Sequence, residues 1–327
     1  MSLIEVKDLA KVYKIPKRQA GMLGALKSIF KKEYTTKTAV RSVSFTISAG
    51  EMVGYIGPNG AGKSTTIKML TGILVPTSGK VLVNGLIPYK ERQKNARQIG
   101  VVFGQRTQLW WDLPTQDSFE LLKQVYQIPT KRYKQNMDTY NEILGLHEFL
   151  HIPVRQLSLG QRMRADIAAS LLHDPIILFL DEPTIGLDVV AKSKIRKFIR
   201  EINIERKVTV ILTTHDMADI EKLCKRMILI DNGKLMYDGE LAKIKEMYGD
   251  KRIMVVDLEG DAPLELEQVT VLKEENSRKW LKFDARKLTP AELISKLSQH
   301  YEIKDLTIKD QDIEVIIRHL YERKEKR

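Results

Sequence analysis

Residues 57–65, Gly-Pro-Asn-Gly-Ala-Gly-Lys-Ser-Thr, have the make-up of a phosphate cradle. Glycines let a backbone wrap an anion with its N–H groups pointing inward. The apolar stretch 51–56 reads as a short strand entering the run, and 63–70 reads as a helix leaving it. The positive end of such a helix adds to the attraction for phosphate. Gly57 to Ser64 fits the spacing G-x-x-x-x-G-K-[ST]. In that pattern Lys63 neutralises the β- and γ-phosphates and the Ser64 hydroxyl ligates Mg²⁺. A dinucleotide fingerprint is excluded, because Thr65 stands where its third glycine belongs. A second constellation is Ile-Ile-Leu-Phe-Leu-Asp-Glu at 176–182. An apolar strand here delivers two acids at its carboxyl end, where open α/β sheets bind ligands. Asp181 suits a Mg²⁺ held through its water shell, and Glu182 suits orienting or deprotonating an attacking water. Alone, an acidic pair after a strand is usually a capped turn. Beside a phosphate loop it makes a hydrolysis site.

The elements that must position these groups follow from the residue pattern. Strands are expected at 4–6, 12–14, 42–47, 51–56, 80–83, 99–103, 176–180 and 208–212, with a mostly helical stretch over 118–172. Five consecutive apolar residues at 176–180 suit a strand buried on both faces of a parallel sheet. Alternation of such strands with helices implies an α/β fold. Between the second and third strands lies an insertion at about 15–38 with Pro16, Gly21 and Gly24 as breakers. Met22, Leu23, Leu26, Ile29 and Phe30 fall on one helical face there, with Lys27, Lys31 and Lys32 beside them, so a short basic amphipathic helix is expected. A boundary is expected at 248/249. Beyond it, strands at 253–258, 269–272, 280–283 and 303–308 and helices after Thr289-Pro290 and after 310–312 suggest a small α+β domain over 249–327.

Composition narrows the class. With 43% hydrophobic and 29% charged residues the chain has enough apolar material for an ordinary globular core. No run of eighteen apolar residues occurs, so the chain is not expected to span a membrane by helix. The opening segment has no long apolar stretch and no small-residue cleavage site, so secretion is not expected. The single cysteine, Cys224, excludes an internal disulfide and lies in an apolar setting that reads as packing. The net charge of +12 is uneven: residues 11–41 hold nine Lys/Arg against Glu33 alone, whereas 251–327 hold sixteen of each sign. A local basic excess suggests an anionic neighbour (a lipid surface, nucleic acid or an acidic partner face) or else a solvated face.

Between the phosphate loop and the acidic strand lies Leu-Ser-Leu-Gly-Gln at 157–161, leading into an arginine-rich helical run. This arrangement resembles the signature of ATP-binding-cassette (ABC) ATPases. Other parts stand in that family's order: Gln105 in Val-Val-Phe-Gly-Gln matches the glutamine loop, Asp188 matches the loop after the catalytic acid, His215 in Thr-Thr-His-Asp matches the switch histidine, and Tyr13 matches the aromatic that stacks on adenine. Tyr34, at a more usual distance from Gly57, is the alternative stacking residue. The resemblance covers about residues 3–240. It implies a P-loop NTPase fold with a RecA-like core, an antiparallel β subdomain and an α-helical subdomain at about 106–172, so that 1–248 forms the ATPase domain.

The resemblance also implies roles. ATP would lie on Gly57, Pro58, Asn59, Gly60, Ala61, Gly62, Lys63, Ser64 and Thr65, with Tyr13 on the base. Mg²⁺ would be held by Ser64, Gln105 and Asp181. Two cassettes would close head to tail on two ATP, so that Ser158, Gly160 and Gln161 of one subunit face the phosphates bound by the other, with Asp188 beside them. Glu182 and His215 would carry hydrolysis. The sequence departs from the family at Leu159, where glycine is usual, and in the length between Tyr13 and Gly57. Trp110 and Trp111 follow the glutamine loop in the region that faces a membrane partner in this family, and tandem tryptophans are good anchors. The reading is therefore an ATPase subunit at the cytoplasmic face of the cell membrane, driving export through separate permease subunits as a homodimer or heterodimer. The basic insertion is expected against anionic lipid or the permease. The alternative is a soluble ABC ATPase acting on nucleic acid or ribosomes. A single cassette with no heptad array and a tryptophan pair makes nucleic acid an unlikely partner.

Overall fold

The computed structural model describes residues 2–16, 34–104, 106–248, 251–259, 266–309 and 313–325. The amphipathic face expected within the insertion, Met22 to Phe30, lies outside them, as does Gln105. The chain divides into two compact units, residues 1–238 and 239–327.

The first unit is built on two sheets. In the smaller, β1 (Ser2–Pro16) runs antiparallel between β2 (Tyr34–Ser48) and β4 (Ser78–Val83). The sequence suggests separate short strands at 4–6 and 12–14, but β1 is continuous. Its register shifts between Val6 and Leu9, where Asp8 (φ 50°) adopts the left-handed region. The bulge satisfies its own polar groups: the Asp8 N–H donates to Ser44 Oγ at 2.8 Å and Asp8 Oδ1 accepts from Ser42 Oγ at 3.2 Å. A bulge of this kind bends a strand without ending it.

The larger sheet has the order β5-β6-β7-β3-β8-β9, with β3 (Met52–Ile56), β5 (Ile99–Phe103), β6 (Ile177–Asp181), β7 (Thr209–Thr213), β8 (Arg226–Asp231) and β9 (Lys234–Glu240). From β5 to β8 the neighbours are parallel. Every residue of β3 and β7 is buried, which explains why these strands show no alternation of apolar and polar residues. Asn232 and Gly233, both at positive φ, make the two-residue turn into β9. Ile4, Phe45, Tyr55, Phe179, Ile211 and Ile228 belong to one buried cluster shared by the two sheets.

Helices α1 (Lys63–Leu70) and α2 (Arg92–Gln98) precede β5. The stretch expected to be helical resolves into α3 (Thr115–Tyr126), α4 (Thr130–Leu144) and α5 (Leu159–Leu171), with two short 3₁₀ turns between α4 and α5. Tyr140 and Asn136 on α4 donate to the carbonyls of Leu171 and Leu172 at 3.0 and 2.9 Å, closing the orphan end of α5. Helices α6 (Val189–Arg206) and α7 (Met217–Leu223) flank β7. Cys224 follows α7, is buried, and has its thiol pushed up to about 12 by that burial, consistent with packing.

The second unit contains α8 (Leu241–Tyr248), β10 (Lys251–Glu259), β11 (Val269–Glu275), β12 (Arg278–Asp284), α9 (Pro290–Ser298), β13 (Glu302–Lys309) and α10 (Ile313–Glu325). Its antiparallel sheet has the order β11-β12-β10-β13. Alternate residues Met254, Val256 and Leu258 of β10 are buried with Leu281, Phe283, Leu293 and Leu297. Thr289 and Glu292 close a capping box at α9 with Pro290 in its first turn, the start signal visible in the sequence. The division falls between 238 and 239 rather than at 248/249, because α8 belongs with the smaller unit.

Candidate functional site

The parallel strands β3, β6 and β7 all present their carboxyl ends at one edge, and the residues that follow them meet there. After β3 comes the loop 57–62. Gly62 caps α1 at φ 106°, and a Cβ there would lie 2.5 Å from the Ala39 carbonyl. A Cβ on Gly57 would lie 2.4 Å from the Ile230 carbonyl. Both positions therefore demand glycine for backbone reasons. Behind the loop, Thr66 is fully buried, donates to the Gly62 carbonyl at 3.1 Å and accepts from Tyr55 Oη at 3.2 Å.

Lys63 is folded back along this loop. Its Nζ donates to the Gly57 and Pro58 carbonyls at 2.6 and 3.1 Å. Burial lowers its pKa, while the charges of Glu182 and Asp181 act in the opposite sense. An ammonium whose partners are neutral carbonyls in a half-dry site is well prepared to take a phosphate oxygen.

After β6, Asp181 Oδ1 accepts from Thr213 Oγ1 at 2.5 Å. The Glu182 N–H donates to the Thr213 carbonyl at 2.9 Å, and the Gly104 N–H donates to the Asp181 carbonyl at 2.8 Å. Glu182 itself sits at φ 56°, an unusual conformation for a non-glycine residue. His215, beyond β7, places Nδ1 3.5 Å from Glu182 Oε1, with 60% of its side chain exposed.

Two cavities of about 520 and 980 Å³ share Tyr13, Asn59, Ser64 and Glu182 in their walls. The first adds Gly60, Gly62, Lys63 and Thr65; the second adds Asp181 and His215. Gly57 and Ala61 are buried and Pro58 is exposed, and none of the three lines either cavity. Tyr13 reaches both cavities, whereas Tyr34 pairs with Pro16 further along the β1–β2 ladder and lines neither. Gly104 and Arg106, on either side of Gln105, line the larger cavity.

The remaining candidates lie elsewhere. Ser158 caps α5: its Oγ accepts from the Gln161 N–H at 3.2 Å while Gln161 Oε1 accepts from the Ser158 N–H at 2.9 Å. Asp188 caps α6, its Oδ1 accepting from the Ala191 N–H at 2.9 Å, and that hydrogen bond holds its carboxyl below the usual range. Ser158, Gly160, Gln161 and Asp188 line a third cavity of about 480 Å³ that shares no wall residue with the other two.

Sequence reasoning missed a network of charged groups on α6 and α7, beside His215 in the chain. Asp219, fully buried on α7, accepts from Arg196 Nε of α6 at 2.5 Å and from the Thr184 hydroxyl. Asp216 accepts from Lys192 Nζ at 2.6 Å and caps α7. The cap is visible as an aspartate before a helical run. The Arg196–Asp219 pair joins residues on two helices, which no local pattern reveals.

Hard oxygen ligands are what Mg²⁺ requires, and Ser64 and Asp181 offer them in the same cavity. Among the described residues no group of three or more His, Cys, Asp or Glu side chains could hold a metal by itself. The residues present thus fit an ion completed by phosphate oxygens and water, and not a protein-only cage.

A family model described as ABC transporter matches residues 40–185. The chain is 34% identical over 208 residues to the ABC transporter ATP-binding protein NatA of Bacillus subtilis (strain 168), covering 64% of this chain and 84% of that protein. It is 34% identical over 230 residues to the linearmycin resistance ATP-binding protein LnrL of the same organism, covering 70% and 73%. A solved dimeric ATP-binding cassette in a post-hydrolysis state, bound to ADP and Pi, superposes with a TM-score of 0.61 at 26% identity, covering 73% of this chain and 98% of that one. The chain belongs to the ABC transporter ATP-binding protein family. It is an ATP-binding subunit and an ATPase of that family, and the alternative of a soluble nucleic-acid or ribosome factor is not favoured.

Replacing Lys63 by Ala should weaken ATP binding by about 3 kcal/mol, on the order of a hundredfold, because a phosphate charge then loses its partner. Nucleotide titration of the purified variant checks this. Asp166 on α5 gives a pH test. Burial pushes its carboxyl up to about 6, against the opposing pull of hydrogen bonds from Thr107 and Gln108 and of the Arg162 charge. Since the native state favours the protonated form, the ionised group costs stability that grows as pH rises from about 4 to 6 and persists above. Asp166→Asn should therefore be more stable than the parent by about 2 kcal/mol at pH 7.5, with the difference shrinking towards pH 4, as read by melting temperature across pH.

Proposed function

We propose that this chain powers the export of a hydrophobic compound through separate permease subunits, at the cytoplasmic face of a membrane, by closing with a second cassette on two ATP. The observation that carries the dimer is the separation of the two half-sites. Lys63, Asp181, Glu182 and His215 line two cavities that share four wall residues, while Ser158 and Gly160 line a third that shares none with them. In one chain the γ-phosphate side of the loop thus has no signature residue, and a second subunit supplies it.

In this reading ATP lies on 57–65 with its base on Tyr13. Lys63 leaves the loop carbonyls for the β- and γ-phosphates. Ser64 and, through water, Asp181 would hold Mg²⁺, with Gln105 as the third expected ligand, and the ion would supply positive charge against the phosphate oxygens. Glu182 accepts a proton or hydrogen bond from the water that attacks the γ-phosphorus as the bond to the β-γ bridging oxygen breaks. His215, held close to Glu182, contacts the γ-phosphate and keeps that water in line. Ser158 and the Gly160 N–H of the facing subunit donate to the γ-phosphate, and Asp188 follows them in the seam.

Export is supported by the relatives, one of them named for linearmycin resistance. Among the described residues no helix is long and apolar enough to cross a membrane, so a translocation path needs other chains. The permease-facing surface is assigned to Trp110 and Trp111, which are 41% and 49% exposed on the loop before α3. Large aromatic side chains left in solvent suit a protein groove.

Glu182→Gln should lower turnover by about 10²–10⁴-fold while retaining ATP, and should accumulate an ATP-bound dimer on size exclusion. Turnover equal to the parent would remove Glu182 from the catalytic role. Replacing Trp110 and Trp111 together by Ala should leave the ATPase of the isolated chain near parental and reduce co-purification with membrane proteins encoded beside it. Undiminished co-purification would contradict the docking surface.

A further inference from the structure

Helix α5 starts at the signature, and two of its residues grip one loop further on. Arg162 and Asp166 are one turn apart and share a face. Asp166 Oδ1 accepts from Thr107 Oγ1 at 2.8 Å and from the Gln108 N–H at 3.1 Å, and the Asp166 carbonyl accepts from Gln108 Nε2 at 3.0 Å. Thr107 Oγ1 also accepts from the Leu109 N–H at 3.1 Å. The Arg162 guanidinium lies 5.6 Å from the Trp111 ring centroid. Segment 107–111 is thus fastened to α5 at both ends, by a carboxylate at Thr107–Gln108 and a cation–π contact at Trp111.

Asp166 is 5% exposed and takes no part in the ATP chemistry. An apolar residue would fill such a site at lower cost than a carboxylate. What the carboxylate adds is direction: it fixes the backbone of one loop to one helix. That helix is stiff, and Ser158, its cap, stands two turns from Asp166, roughly 12 Å along the axis.

We propose that Arg162 and Asp166 form a joint that makes the Trp110–Trp111 loop move as one body with the signature end of α5. ATP capture by Ser158 and Gly160 then displaces the tryptophans, and a displacement of the tryptophans shifts the signature. Both are positioning residues. The joint rests on the ABC ATPase reading for its input; its output to a permease rests on the docking surface assigned above.

The test uses the full chain. The sequence has three tryptophans, so Trp280→Phe leaves Trp110 and Trp111 as the only tryptophans, excited selectively beyond the tyrosine absorption band. In that background with Glu182→Gln, Mg-ATP should change tryptophan emission as the dimer closes. Asp166→Ala should lose the larger part of that change while its affinity for a fluorescent ATP analogue stays parental. Asp166→Asn, which keeps an acceptor oxygen, should restore the change. Thr107→Val, a milder cut from the loop side, should also reduce it, and carries the test should Asp166→Ala fail to fold. Three results overturn the joint: no ATP-dependent change in the parent, a full change in both Asp166→Ala and Thr107→Val, or a loss of emission change only in step with a loss of ATP affinity. Should the emission change follow the joint while the tryptophan double variant still co-purifies with membrane proteins, the joint stands and the docking surface falls.

Discussion

The short hydrogen bond from Thr213 to Asp181, with the Glu182 N–H on the Thr213 carbonyl, sets the geometry on which the rest of the site depends. It locks the ends of β6 and β7 in register at the point where both strands stop. Asp181 is thereby held at the cavity wall, and Glu182 is turned into a left-handed backbone conformation that faces His215. Because β7 lies between β6 and β3, the same lock fixes this pair relative to the phosphate loop. Strain at Glu182 is sustained by hydrogen bonds on adjoining strands, which is how functional backbone outliers persist.

The Asp219 network extends that lock outward. Thr184, just past Glu182, and Arg196 on α6 both bond to an aspartate on the helix that follows His215. The acid and the histidine are thus carried by segments tied to one another through a buried charge. Removing Asp219 takes from the largely buried Arg196 its closer partner and leaves it only Asp216, 3.7 Å away. This coupling joins the segments that carry Glu182 and His215, whose Oε1 and Nδ1 stand 3.5 Å apart.

Most of the site was legible because its chemistry is local. Residues 57–65 and 176–182 are contiguous, and each shows in the sequence both its element and its reactive groups. The strands β3 and β6 were recognisable for a physical reason: burial on both faces leaves no polar alternation. What was not legible depends on pairing at a distance. The continuity of β1 depends on Asp8 finding Ser42 and Ser44 on the neighbouring strand. The place of α8 depends on its packing in the smaller unit, which its amphipathic sequence alone does not specify. Arg196–Asp219 and Asp166–Thr107 join residues 23 and 59 apart, and at each end the residue looks like an ordinary surface polar group.

Leu159 meets a constraint of distance as well. Its Cδ2 stands 3.0 Å from where a Cβ on Gly186 would be, so a side chain at 186 would have to displace it. Leucine at one position and glycine at the other are complementary, and together they seat the start of α5 against the turn before α6. The two helix caps, Ser158 and Asp188, consequently line one cavity. Ser158 accepts from the Gln161 N–H, which orients its oxygen but leaves its own proton to donate. Capping and the proposed phosphate recognition therefore need not compete for Ser158: the cap orients the hydroxyl and leaves it a donor for an anion.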